Sequence, residues 1–201
     1  MKHKFFALIF VLTALAAVAA DSFARVSIYP VEKFKVPLSF IQDKEKPLHF
    51  DNGNWCKDPA ERKATLFFQD ITKPLSAETW TTIKGTFRAE ESGKVQVSFH
   101  ARYAEAEEAR NWALVRNIRI NGKPWVNYDL KQTYIHKSNQ KVTPKGFWMT
   151  GKQITLQEDA GDGKAAVLVN HDNRLNLVLE VKEGETYTIE ADYQAAFAPL
   201  F

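Results

Sequence analysis

The residues best suited to ligand chemistry lie in one irregular segment, Lys123 to Lys152, which mixes aromatic rings with amide and basic side chains. Flat aromatic rings can pack against the C–H faces of sugars while amide groups hydrogen-bond the sugar hydroxyls. Long loops on a rigid scaffold often carry binding residues. We therefore predict a carbohydrate site in this segment. Its residues are Trp125, Tyr134 and Trp148 for stacking and Asn127, Gln132 and Asn139 for hydrogen bonds.

Burial of the same rings is the alternative interpretation, because large aromatic side chains also anchor loops to a core. Trp80 and Trp112 each begin a regular apolar run, so we expect both of them in the core. Trp55 follows a turn-forming stretch and fits either role. The solvent exposure of the rings in the irregular segment therefore decides between binding and anchoring.

Enzyme motifs are weak in this sequence. His49, His100, His136 and His171 lack the short spacings of zinc sites, and no Gly-x-Ser-x-Gly elbow is present. Glycoside hydrolysis needs two carboxylates across a cleft, and the sequence alone does not bring two of them together. The acidic run from Glu105 to Glu108 is typical of a solvated helical turn.

A glycine-rich stretch from Gly161 to Ala166 superficially matches a dinucleotide fingerprint. A β run follows it, so no helix N-terminus is available for a pyrophosphate. Asp159 and Asp162 beside these glycines are oxygen ligands of the type that calcium prefers, yet their spacing differs from that of an EF-hand loop. We interpret the stretch as a solvated turn.

Regular strands surround the irregular segment and must position it. Val95, Val97, Phe99 and Ala101 occupy alternate positions of one run, which places them on one face of a strand. The other face carries Lys94, Gln96, Ser98, His100 and Arg102. We expect a sheet with one dry side and one solvated side.

Short runs of this kind recur along the chain, with almost no helical pattern. They are Arg25–Tyr29, Ala64–Ile71, Trp80–Phe87, Trp112–Ile120, Ala165–Asn170, Leu175–Val181 and Thr186–Tyr193. Asn121-Gly122 between extended segments predicts a tight hairpin. The helical candidate is Tyr103–Arg110. The pattern predicts an all-β fold, a two-sheet β-sandwich with one short helical insertion at most.

Residues 1–20 are predicted to be a signal peptide. A basic start through Lys4 precedes the apolar run Phe5–Val18, which is too short for a comfortable membrane span. Ala17-Val18-Ala19 fits the small-x-small cleavage pattern, and an uncleaved anchor is the alternative. Residues 21–201 are then expected to form one β-sandwich domain that is periplasmic or secreted and does not span the membrane.

The mature chain is nearly neutral. The formal charge of +3 includes Lys2 and Lys4, so 27 − 2 = 25 basic residues stand against 24 acidic ones, a net charge of +1. Nucleic-acid binding needs a clustered basic surface, and this balance argues against it. Cys56 is the lone cysteine, so no internal disulfide can form. We expect a small buried side chain there rather than a reactive thiol or a bridge between chains.

The order of features from Trp80 to Gly122 resembles the galactose-binding-like jelly rolls found among carbohydrate-binding modules. In that family a Trp-led strand and a Ser/Gly turn, here Ser92–Val95, precede a strand that ends in an apolar-Asp-Asp-Val-x-apolar run. The corresponding run here is Val115–Ile120, and the later Val181–Ile189 resembles the family's strand-turn-strand. The resemblance covers about half the mature chain and implies a jelly-roll sandwich.

Arg116 and Asn117 stand where the family has its two acidic residues. Any role of the family's acidic residue at this place, including help with a structural cation, is therefore not carried over. A structural calcium elsewhere is common in the family, but its ligands cannot be assigned here. The sequence indicates no other cofactor.

Three functions are consistent with the sequence. The leading hypothesis is a secreted, non-catalytic module that binds a polysaccharide or glycan through the aromatic segment. The alternative is a structural or protein-interaction module of the cell envelope without a sugar site. The third is a polysaccharide-active hydrolase or lyase, which would need paired acidic residues or a Tyr–Arg/His grouping in one cleft.

Overall fold

The computed structural model describes residues 22–32, 36–41, 49–51, 57–60, 65–69, 74–103, 112–137, 140–151 and 156–197. The predicted signal peptide, Cys56, the predicted sugar ligand Asn139 and most of the predicted helix lie outside these residues. No helix in the described ranges has the length and apolarity that crossing a membrane requires.

Two antiparallel sheets form the body of the fold. The first sheet has the order β11 (Trp148–Met149), β14 (Leu175–Val181), β6 (Gly93–Ala101), β1 (Ala24–Pro30), β4 (Leu66–Gln69) and β3 (His49–Asp51). The second has the order β12 (Leu156–Gln157), β13 (Ala166–Val169), β7 (Trp112–Ile120), β15 (Thr186–Ala196), β5 (Thr81–Ala89) and β2 (Leu38–Ile41), with β8 (Lys123–Pro124) paired to β7. A separate hairpin joins β9 (Thr133–Ile135) to β10 (Val142–Pro144).

The predicted all-β sandwich is confirmed. Alternate residues of the central strands point inward and are buried between the sheets, as Val97 and Phe99 of β6 illustrate. Leu175–Val181 and Thr186–Ala196 follow each other in sequence but belong to different sheets. The turn at Glu183-Gly184 therefore crosses from one layer to the other, and the two dry faces meet across the core.

A β-bulge interrupts the alternation of β7. Asn117 has a φ of 53°, and the register with β15 shifts between Glu190 and Asp192. Val115 before the bulge and Ile118 after it both point into the core, although three positions separate them. Arg116 still pairs with Asp192 and Arg119 with Glu190, so Asn117 and Ile118 together oppose Ala191. Of the two polar residues that stand at the family's acidic positions, Asn117 is therefore in the bulge.

Arg116 is directed outward by this bulge. Its guanidinium lies 3.6 Å from the centre of the Trp80 ring and 2.7 Å from an oxygen of Asp162. Trp112 is buried as predicted, but it packs with Leu114 in a small cluster on the outer face of the second sheet. Trp80, expected in the core, is partly buried beside that cluster.

The predicted hairpin at Asn121-Gly122 is confirmed. Ile120 pairs with Lys123, and both turn residues have positive φ, 51° and 73°. Asn121 also accepts a hydrogen bond of 2.7 Å from the backbone of Thr188 through its side chain. A short primed turn of this kind matches the twist of the strands that it joins.

The irregular segment after this hairpin closes one side of the core. The predicted long loop contains the short strands β9, β10 and β11. Leu130, Phe147 and Met149 are buried in the main core, and Trp125 packs against it. Most of this segment is therefore anchored to the sandwich by its apolar side chains.

Gly85 marks a close approach of the two sheets. A Cβ atom at this position of β5 would lie 2.6 Å from ring carbons of Phe68 in β4.

We expect Gly85→Ala to lower the free energy of unfolding by about 1–3 kcal/mol, because the buried ring must move. Urea denaturation measures the change. The exposed neighbour variant Arg88→Ala is expected to stay within about 0.5 kcal/mol of the parent, and equal stability of both variants would contradict this packing.

Candidate functional site

The outer face of the first sheet is solvated only in part: Lys94 and Arg102 are exposed as the sequence predicted, and Gln96 is partly buried. Ser98 and His100 of β6, expected in solvent, are completely or almost completely buried. Ser27 of β1 and Asn176 of β14 on the same face are buried as well. The prediction was wrong for Ser98 and His100, because it placed every polar side chain of this face in solvent, whereas the buried ones form hydrogen bonds within the protein.

Strand register brings these polar side chains together. Ser27 is opposite Ser98, which is in turn opposite Asn176. The Ser98 hydroxyl donates to Asn176 Oδ1 at 2.6 Å, and Gln96 Nε2 donates to the Ser98 oxygen at 2.8 Å. Buried polar groups that are hydrogen-bonded in this way form a rigid floor.

A cavity of about 700 Å³ opens above this floor. Its lining residues come from β1, from β6 and the residues just after it, and from the loop between β13 and β14. They are Arg25, Ser27, Tyr29, Gln96, His100, Tyr103, His171 and Arg174. Two arginines, two histidines and two tyrosines thus surround one space. No carboxylate is among these lining residues.

His100 is the innermost of the titratable groups. Its Nδ1 lies 3.0 Å from the carbonyl oxygen of Ala101, which can only accept, so Nδ1 carries the proton. Nε2 lies 2.7 Å from the Ser27 hydroxyl, and that hydroxyl therefore donates to it. Both ring nitrogens of a neutral imidazole are satisfied by this arrangement.

The loop between β13 and β14 holds the other wall of the cavity. The Asn170 side-chain oxygen accepts hydrogen bonds from the backbone of Asp172 and Asn173 at 2.9 and 2.7 Å. This tight turn directs His171 and Arg174 over the sheet. Arg174 is fixed further because its Nε donates to the His171 carbonyl oxygen at 2.6 Å.

Arg174 also reaches across the sheet to β1. Its Nη1 donates to the Tyr29 hydroxyl at 3.0 Å, although the two residues are 145 positions apart in sequence. On the opposite rim the ring of Tyr103 meets His171 edge to face, with centroids 5.0 Å apart. Tyr103 is 55% exposed and so lies at the mouth of the cavity.

The electrostatics of the cavity keep its histidines neutral. Burial lowers the pKa of His100 well below its ordinary value, and the positive charges of Arg174 and Arg25 lower it further. Burial and Arg174 also lower the pKa of His171, although the carboxylate of Asp172 opposes this shift. The positive charge of the cavity therefore comes from the two arginines. The arrangement can bind an anion and offers neutral imidazoles for proton transfer.

Trp148 is a predicted sugar-stacking residue that lies on the same face of the first sheet as this cavity. It pairs with Asn176, whose neighbours Leu175 and Leu177 face the core, so its ring is on the outer face of the first sheet. Arg174 is its diagonal neighbour, roughly 7 Å away between Cα atoms. Trp148 is partly buried and leaves part of its ring accessible.

The other predicted residues that the structure describes are held by contacts within the irregular segment. Trp125 is partly buried against the core with its ring nitrogen buried and unpaired among the described residues. Asn127 holds its own loop by donating to the carbonyl oxygens of Gln132 and Lys145 at 2.8 and 3.2 Å. Tyr134 is 36% exposed, and its hydroxyl donates to the Phe147 carbonyl oxygen.

Metal binding has no support in the described residues. No three His, Cys, Asp or Glu side chains in these ranges lie close enough together to hold an ion. Asp159 accepts hydrogen bonds from the backbone of Gly161 and Gly163 at 2.8 Å and thereby shapes its own turn. Asp162 is engaged by Arg116. The two aspartates considered as calcium ligands have these other roles.

Sequence reasoning missed the cavity because its parts are distant in the chain. Arg25, Ser27 and Tyr29 were treated only as members of a strand, and His171 only as an isolated histidine. One signal was present: the outward positions of β1 carry Arg, Ser and Tyr, which are residue types that often hydrogen-bond ligands. Without the pairing of β1 with β6 this signal cannot be joined to His100.

Comparisons with known proteins leave the chain without a family assignment. No protein-family model, no curated protein and no solved structure matches it. The resemblance to galactose-binding-like modules therefore stays a prediction, and functional inference depends on the cavity itself.

The buried neutral His100 predicts a loss of stability in mild acid. The unfolded chain binds a proton near pH 6.5 and the folded chain does not, so the free energy of unfolding falls as pH drops from 7.5 to 5.5. The fall is at most about 1.4 kcal/mol per pH unit for each such group. Urea titrations at several pH values measure it.

His100→Gln is expected to flatten this dependence, because the amide does not titrate. His136→Gln, changed outside the cavity, is the matched control for the substitution, and the slopes of the two variants are compared. An equal slope in the parent and in His100→Gln would show that His100 is not held neutral.

Proposed function

We propose that the mature chain is a secreted β-sandwich that binds acidic carbohydrate at the cavity on the outer face of its first sheet. The observation that carries the proposal is the convergence of Arg25 and Arg174 over a cavity that has no carboxylate among its described lining residues. Guanidinium groups bind carboxylates and sulfates through paired, charge-assisted hydrogen bonds. The two known bonds of Arg174 use two of its five N–H donors, and the others remain for a ligand.

Carbohydrate is the favoured class of anion because of the surroundings of the arginines. Tyr29, Tyr103 and Gln96 line the same space and can exchange hydrogen bonds with hydroxyl groups. Trp148 on the same face offers a flat ring to a neighbouring sugar unit. A cavity of about 700 Å³ with an open mouth suits a few units of a longer chain.

A purely structural module gives no reason for this arrangement. The charges of Arg25 and Arg174 disfavour protonation of the buried His100 and lower its pKa. Perturbed pKa values beside a cavity are typical of functional sites. Protein interaction elsewhere on the surface is compatible with the proposal.

Matched ligands test the role of charge. We expect polygalacturonate to bind more tightly than its methyl ester, and dextran sulfate more tightly than dextran, because each pair shares a backbone and differs in negative charge. Arg174→Gln should weaken binding of the charged member by about tenfold or more. Affinity electrophoresis or calorimetry at fixed salt measures the difference. Arg88→Gln, exposed on the second sheet, is the control, and equal loss in both variants would contradict the proposal.

Matched aromatic variants locate the site. Trp148→Ala is expected to weaken binding by about three- to tenfold, since stacking on an accessible ring contributes about 0.5–1.5 kcal/mol. Tyr134→Ala, in the β9–β10 hairpin, should bind as the parent does. A loss confined to Tyr134→Ala would instead place the ligand on the β9–β10 hairpin.

A further inference from the structure

We propose that this cavity cleaves (1→4)-linked polyuronates by β-elimination, with His171 as the base and Tyr29 as the acid. The inference rests on the proposed function and extends it from binding an acidic sugar to breaking its chain. Three requirements must be met in one place: neutralisation of the carboxylate, a base near C5, and an acid near the glycosidic oxygen. The cavity brings together a residue for each.

Arg25 and Arg174 meet the first requirement. The proton on C5 of a uronate is weakly acidic because the carboxylate beside it is already negative. Bidentate binding by a guanidinium neutralises that charge and stabilises the enolate-like transition state. Arg174 is held in place from two sides, by the His171 carbonyl oxygen and by Tyr29, so it is preorganised for this role.

His171 meets the second requirement. It lines the cavity, is half-buried, and stands 5.0 Å from Tyr103 and 5.9 Å from His100 between ring centroids. Its Nδ1 is buried without a hydrogen-bond partner among the described residues, so proton uptake is left to Nε2. The other lining histidine, His100, has Nε2 occupied by the Ser27 hydroxyl. Of the two, His171 is therefore the ring available to substrate.

Tyr29 meets the third requirement. Its oxygen accepts a hydrogen bond from Arg174, and this bond leaves the hydroxyl proton free to be given to a leaving oxygen. The adjacent guanidinium then stabilises the phenolate that forms. Tyr29 lies on β1 and His171 on the facing loop, so a sugar seated between them meets both.

The chemical step balances without a co-reactant. His171 removes the C5 proton, and the C5–H electron pair forms the C4=C5 double bond. The C4–O bond breaks, its electron pair goes to the glycosidic oxygen, and Tyr29 protonates that oxygen. One product carries a 4,5-unsaturated uronate at its new end. Solvent then takes the proton from His171 and gives one to the Tyr29 phenolate, which restores both side chains. Hydrolysis by paired carboxylates is not favoured here, since no carboxylate is among the described residues that line the cavity.

The mature protein is incubated with polygalacturonate, with alginate and with dextran sulfate, and ultraviolet absorbance of the conjugated double bond is followed. We expect absorbance to rise with at least one polyuronate and not with dextran sulfate, which has no C5 carboxylate. Tyr29→Phe and His171→Gln should each lower the rate by about 100-fold or more while affinity stays near the parental value. Tyr134→Phe and His136→Gln are the matched controls and should retain the rate.

The possible failures are distinguishable. Binding of both polyuronates without any rise in absorbance overturns the elimination and leaves acidic-carbohydrate binding standing. New reducing ends without a double bond also overturn it, because they indicate hydrolysis. Full activity of Tyr29→Phe or His171→Gln overturns the assigned roles. Absence of binding to every charged polymer overturns both proposals.

Discussion

A neutral histidine buried beneath two arginines is the arrangement on which the candidate site depends. His100 is completely enclosed, donates to the Ala101 carbonyl oxygen and accepts from Ser27. Protonation would bring a third positive charge next to Arg25 and Arg174 in a region with little water, so burial and these charges hold the ring neutral. The neutral ring can then accept a hydrogen bond from the Ser27 hydroxyl. The floor of the cavity therefore keeps a single geometry.

The sandwich supplies rigidity for this arrangement. β1 and β6 lie side by side in the first sheet, and their inward residues are packed against the second sheet. The outward residues therefore start from a backbone that cannot shift easily. The loop that carries His171 and Arg174 is short, is capped by the Asn170 side chain and leads directly into β14. Cavity walls on regular strands and a capped turn hold a ligand more reproducibly than a long loop does.

Local patterns in the sequence were sufficient to predict the fold but not to predict the site. Leu175–Val181 has the predicted bounds because alternation of four apolar residues is a strictly local signal. Asn121-Gly122 was equally readable, since the φ requirement of the turn lies within two residues. The bulge at Asn117 was not predicted, because two adjacent polar residues in a strand fit either a break in the alternation or a family motif. The cavity was not predicted, because the Ser27–His100 and Tyr29–Arg174 contacts join residues that are 73 and 145 positions apart in the sequence.

Nuclear magnetic resonance of the histidine side chains tests the central claim most directly, because it observes the cavity itself. A galacturonate oligosaccharide is added to the protein at constant pH, and the imidazole signals of His100, His136 and His171 are followed. Occupation of the cavity by an acidic sugar should shift the signals of His171 and His100 and leave His136, outside the cavity, as an internal reference. Unchanged His171 and His100 signals at saturating sugar, or a shift at His136 alone, would contradict it.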